Sequence, residues 1–239
     1  MFRRWWLGCI VGMLSVSAWA ADGVLVAAGA GYRKPVLELL QAFSEATGIK
    51  AEASFGNMKQ VEVQARQNPD VSVLIGDQAF LEPMQLAQQF MPLGRGQLVL
   101  VAASGKTLQT LDDLRGPAIG RIAMPDREKA VYGKAAFTCM QRSGLWADIH
   151  TKLIEVTTVP QVSAYVLTQQ VDAGFVNATE AKALQGKVGA AVVVNEGCYP
   201  PIALSMGVIA QRGNVAAVQA LQAFVGTPAA RAVLQRHGL

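Results

Sequence analysis

Short apolar runs alternate along the chain with stretches in which apolar positions recur every three or four residues, the period of a helix packed on a sheet. Residues 24–28 form such a run, and Val36, Leu39, Leu40 and Phe43 then repeat at helical spacing. Thr47-Gly48 reads as the helix stop, because glycine takes the left-handed conformation that ends helices. A second strand is expected over 49–55, a buried strand over 71–75, a helix over 80–89 and a further strand over 97–103. Leu111-Asp112-Asp113-Leu114 opens a short helix. The same alternation then recurs, with strands at 121–123, 153–157 and 173–176 and helices at 131–143 and 161–170. A strand at 202–210, a helix at 216–225 and a last helical turn around 228–236 finish the chain. This alternation predicts an α/β fold, parallel strands with helical crossovers, in two successive units.

The first residues modify the compartment rather than the fold. Arg3 and Arg4 precede an apolar run ending near Val16, and Ala18-Trp19-Ala20 supplies small residues for a signal peptidase, so residues 1–20 are expected to be a cleaved export signal. The location expected is periplasmic, with no membrane insertion after cleavage. The formal net charge of +4 loses two positive charges with that segment. No basic run remains to track a phosphate backbone, which argues against nucleic acid. Cys9 falls inside the signal, leaving Cys139 and Cys198 as an even pair in an oxidising compartment, and a disulfide between them is predicted.

Enzyme chemistry finds little support. The two histidines, His150 and His237, lie far apart and in no metal-ligand spacing, and neither a G-x-S-x-G elbow nor a phosphate loop is present. No cofactor and no protein-bound metal are expected. A dinucleotide reading of Gly29-Ala30-Gly31 with Glu52 fails at Lys34, which stands where the third glycine belongs.

Anion binding fits the pattern better. Gly29-Ala30-Gly31 follows the first strand and precedes a helix, where free N–H groups and the helix dipole favour negative charge. Gly31 permits close approach, Tyr32 follows it, and Arg33 would add a forked, charge-assisted hydrogen bond. The other reading is a tight turn with a solvated Arg33. Asn57-Met58 opens the next helix, as cap or as donor. Residues 126–132, with Lys129 and Ala130, lie before a helix of the second unit, as a closing loop or as a charged surface loop.

These segments carry a resemblance. The run 24–31, then Thr47-Gly48-Ile49-Lys50 and Ser54-Phe55-Gly56, resembles the opening of periplasmic molybdate-binding proteins. Pro69-Asp70-Val71, Ile75-Gly76-Asp77, the 97–101 strand, Tyr132-Gly133-Lys134-Ala135-Ala136 and 172–180 continue it in family order. The resemblance implies the two-lobed periplasmic binding protein fold (type II). Each lobe would be a mixed, mostly parallel sheet flanked by helices, with the ligand cleft between lobes. Lobe I would comprise 21–97 plus 203–239 and lobe II 98–202, joined by crossing strands.

It further implies a monomeric receptor, not an enzyme, that delivers a small oxyanion to the permease of an ABC importer. The ligand set implied is Gly31, Tyr32, Arg33, Asn57, Met58, Lys129, Ala130, Val159 and Asn177. Several of these depart from the family pattern: Gly31 replaces a serine, Asn57-Met58 a serine pair, Lys129 a small residue and Asn177 a tyrosine. Those departures leave molybdate and tungstate beside sulfate, a phosphate ester or a small carboxylate as expected ligands. An exported adhesin or sensory receptor of the same fold is the other class.

Overall fold

The computed structural model describes residues 23–239; the expected signal segment lies outside the described residues. In chain order the first unit runs β1 (Val24–Gly29), α1 (Arg33–Thr47), β2 (Ala51–Gly56), α2 (Met58–Gln67), β3 (Val71–Asp77), α3 (Gln78–Leu81) and β4 (Ala87–Gly96). The second runs β5 (Leu98–Ala102), β6 (Ile122–Pro125), α4 (Val131–Arg142), α5 (Leu145–Ile149), β7 (Leu153–Val156), α6 (Val159–Leu167), β8 (Ala173–Asn177), α7 (Ala178–Ala183) and β9 (Ala191–Val193). The chain then returns to the first sheet as β10 (Ile202–Ile209) and ends in α8 (Val215–Val225) and α9 (Pro228–Arg236).

Two five-stranded sheets result, in the orders β2-β1-β3-β10-β4 and β7-β6-β8-β5-β9. In each, two pairings are parallel and two antiparallel, the antiparallel ones falling on β10 or β5. The sheets are thus mixed, because the strands that carry the chain between the two bodies enter them in the opposite sense. β3 is buried along its whole length, as a sheet covered on both faces requires. On α1 the buried residues are Pro35, Val36, Leu39, Leu40 and Phe43, and Gly48 at φ 72° stops the helix, its N–H donating to the Ser44 carbonyl.

The expected helix over 80–89 forms only at its start, as α3 and a 3-10 turn over Glu82–Met84. Pro83 has no amide to continue it, Gln85 turns into the left-handed region at φ 54°, and Ala87 begins the edge strand β4. The Leu111 segment is a 3-10 turn.

Only Gln97 separates β4 from β5, and residues 199–201 separate the Cys198 turn from β10. These two crossings are tied together, since the Leu98 amide donates to the Tyr199 hydroxyl at 3.1 Å. The predicted Cys139–Cys198 disulfide is present and anchors the return crossing to α4. Gly96 sits where the chain leaves the first sheet, and a Cβ there would lie 2.3 Å from the Tyr132 hydroxyl oxygen and 2.7 Å from Ile202 Cγ2. Glycine is needed for that close approach.

Candidate functional site

A small cavity opens between the two bodies at the C-terminal ends of the parallel strands, where open α/β sheets place ligands. It is lined by residues 29–32 and 56–58 from the first body and by 130–132 and 158–159 from the second. Each segment joins a strand end to a helix start: β1 to α1, β2 to α2, β6 to α4 and β7 to α6. Four helix N-termini therefore converge. The cavity volume is about 20 Å³, little more than the space that holds one ordered water.

The four N-termini are not equivalent. The turn at Ala30–Tyr32 that leads into α1 has no side-chain cap, and neither does α4, so early amides such as Gly31 and Val131 lack the partner a cap would supply. α2 is closed off. Its Asn57 N–H donates to Gln60 Oε1 at 2.9 Å, the Gln60 N–H donates back to Asn57 Oδ1 at 3.0 Å, and the Met58 N–H donates across the cleft to the Lys129 carbonyl at 2.8 Å. What α2 still offers is the Asn57 side-chain NH2 on the cavity wall. α6 is half closed: Thr158 and Gln161 form a reciprocal capping box and Pro160 has no N–H, which leaves the Val159 amide.

The sequence-derived residues divide accordingly. Gly31, Tyr32, Asn57, Met58, Ala130 and Val159 line the cavity, whereas Arg33, Lys129 and Asn177 do not. Arg33 is exposed and its guanidinium lies over the Phe55 ring, 4.8 Å from the centroid. The aromatic face outcompetes the cleft for it. The Lys129 side chain turns outward to Asp126 at 3.3 Å and only its carbonyl faces α2. Burial raises the Asp126 carboxyl, but the N–H groups of Lys129 and Glu128 and the Lys129 ammonium outweigh it and hold the group below its usual range. Asn177 is wholly buried behind Gly31 and donates to the Gly31 carbonyl at 2.8 Å. Met58 sends its thioether inward, against Gly29 and Gly76.

Thr158 was not among the expected residues, and Tyr132 was expected only as the last residue of the 126–132 loop. The Thr158 box was legible as a Thr three residues before Gln161. For Tyr132 the pattern shows its place at the start of the helix but not its partner. Its hydroxyl meets that of Tyr32 at 2.9 Å, both rings buried. Burial pushes both phenols well above their ordinary values, so both remain neutral hydroxyls.

The cavity has no lysine, arginine, aspartate or glutamate on its wall. It is equipped to hold a small group by hydrogen bonding and helix polarity, and the lining has no nucleophile and base pair for covalent chemistry.

A family model described as bacterial extracellular solute-binding protein matches residues 24–239. The chain belongs to that family. As a solute-binding protein it is not an enzyme. It is 24% identical over 225 residues to the molybdate-binding protein ModA of Rhodobacter capsulatus, covering 92% of this chain and 88% of that one. Among solved structures, the periplasmic molybdate-binding protein of Azotobacter vinelandii superposes with a TM-score of 0.81 at 21% identity, covering 90% of this chain and 97% of that one. The sulfate-binding protein SubI of Mycobacterium tuberculosis gives a TM-score of 0.74 at 16% identity, covering 91% and 86%. These likenesses establish the two-lobed α/β binding-protein fold for this solute-binding protein.

Proposed function

We propose that this protein captures a compact, fully deprotonated tetrahedral oxyanion, with molybdate and tungstate foremost, in the periplasm and passes it to the permease of an ABC importer. The observation that carries this reading is a cavity ringed by helix N-termini from both bodies with no charged side chain on its wall. Several partial positive charges, each about half an elementary charge at most, spread over a dianion without a fixed counter-ion.

The same wall argues against protonated ligands. With no carboxylate on the wall, an O–H on hydrogen phosphate would depend on the weaker hydroxyl and carbonyl acceptors there. Sulfate shares the charge and shape of molybdate and is separated from it only by measurement. Export by cleavage after Ala20 belongs to the same proposal, because a transporter receptor must lie outside the cytoplasmic membrane.

Calorimetric titration of the cleaved protein with molybdate, tungstate, sulfate, phosphate, phosphoglycerate and citrate is the test. Binding confined to the first three supports the reading. Tight binding of citrate or phosphoglycerate, with none of the three oxyanions bound, would defeat it.

A further inference from the structure

The two bodies also hold one another directly beneath the cavity. Asn177 ends β8 in the second body, and its Nδ2 reaches the Gly31 carbonyl of the first at 2.8 Å. Its Oδ1 accepts the Glu180 N–H at 3.0 Å, so the same side chain caps α7. Tyr132, from α4 of the second body, is bonded to Tyr32 of the first, and the two hydroxyls rest on Gly96 at the crossing strand. A Cβ on Gly31 would lie 3.2 Å from Asn177 Nδ2. Glycine and asparagine therefore fit each other across the cleft.

We infer that Asn177, Tyr132 and Tyr32 form a polar clasp between the lobes, in which Asn177 is a positioning residue and not a ligand donor. Every hydrogen-bonding atom of its side chain is engaged by protein. The bond to the Gly31 carbonyl immobilises the 29–32 turn, whose amides face the cavity, and that bond exists only when the lobes are together. Closure and donor alignment thus become one event, and part of the affinity comes from bonds the protein makes with itself. The clasp rests on the anion-capture reading only for its effect on ligand, not for its effect on shape.

The test uses three variants of the cleaved protein, in which Trp146 is the one tryptophan left. Asn177→Asp keeps the α7 cap and loses the cross-cleft donor, Asn177→Ala loses both, and Tyr132→Phe removes one hydroxyl. Small-angle scattering without ligand needs no ligand to be known: Asn177→Asp and Tyr132→Phe are expected to show a larger radius of gyration than the wild type. Stopped-flow fluorescence of Trp146, whose ring lies 5.0 Å from the Arg127 guanidinium beside the cleft loop, then follows molybdate. Dissociation should quicken about tenfold in Asn177→Asp with association nearly unchanged, as expected for one lost buried bond.

Equal radii in the wild type, Asn177→Asp and Tyr132→Phe would overturn the clasp. So would a loss confined to Asn177→Ala, which would make the residue a helix cap alone. If the wild type binds no molybdate while the radii differ as expected, the clasp stands and the oxyanion reading is what fails.

Discussion

Removing the disulfide is expected to loosen the second lobe strongly, and the size of the effect follows from where the bond lies. Cys139 and Cys198 are 59 residues apart in sequence, so in the chain-entropy model the crosslink removes about 4 kcal/mol of freedom from the unfolded chain. Cys139 is fully buried in α4 while Cys198 lies in the turn before β10. The bond therefore holds the helix whose start lines the cavity against the segment that returns to the first sheet. For a chain of this length about 4 kcal/mol corresponds to roughly 8–16 °C in Tm. Scanning calorimetry of the Cys139→Ala/Cys198→Ala protein, against the wild type with and without reductant, measures it. Wild type in reductant should fall toward the variant, and the variant should ignore reductant. A drop below about 2 °C, or a variant as sensitive to reductant as the wild type, would refute the reasoning.

Arg33→Ala and Lys129→Ala should each leave oxyanion affinity within about twofold, because both charges are exposed and screened; calorimetric titration checks this, and a tenfold loss would return either side chain to the cleft. Gly31→Ala should weaken binding several-fold with little change in Tm, since the new Cβ presses on Asn177 Nδ2 at 3.2 Å and Val159 Cγ2 at 3.4 Å; unchanged affinity would mean the lobes close without that contact. Burial raises the Asp77 carboxyl above its ordinary value, although the Ala203 and Ala79 N–H groups lower it in part. The native state then holds its proton to higher pH than the unfolded chain does, so this group's stabilisation is lost as pH rises through its folded pKa. Asp77→Asn should accordingly gain stability over the wild type in neutral buffer and none in acid, as read from paired urea melts; an equal difference at both would contradict the sign.

Much of the scaffold could be read from the chain because its signals are local. The 24–28 run, the amphipathic α1 and its Gly48 stop each follow from a few adjacent residues, and so does the place of each strand-to-helix turn. The expected helix over 80–89 overruns into the start of β4 because Phe80, Leu81 and Met84 keep a helical period that Pro83 and the left-handed Gln85 then end. The site was less legible for a different reason. Placing Arg33 and Lys129 in the cleft relied on charge type; Asp126, three residues before Lys129, is a local partner, whereas the approach of Phe55 to Arg33 has no local signal. Met58 opens α2 and Asn177 caps α7, yet their donors are engaged by Lys129 and Gly31. Those are contacts between residues 71 to 146 positions apart, beyond the reach of local pattern.

The most direct test of the account is a two-dimensional amide NMR titration of the cleaved protein with molybdate, tungstate or sulfate. The amide protons of Ala30 and Gly31 in the first body and of Val131 and Val159 in the second should move downfield together, in a single saturable step. Shifts centred on Arg33 and Lys129, or confined to one body, would contradict capture by helix N-termini drawn from both.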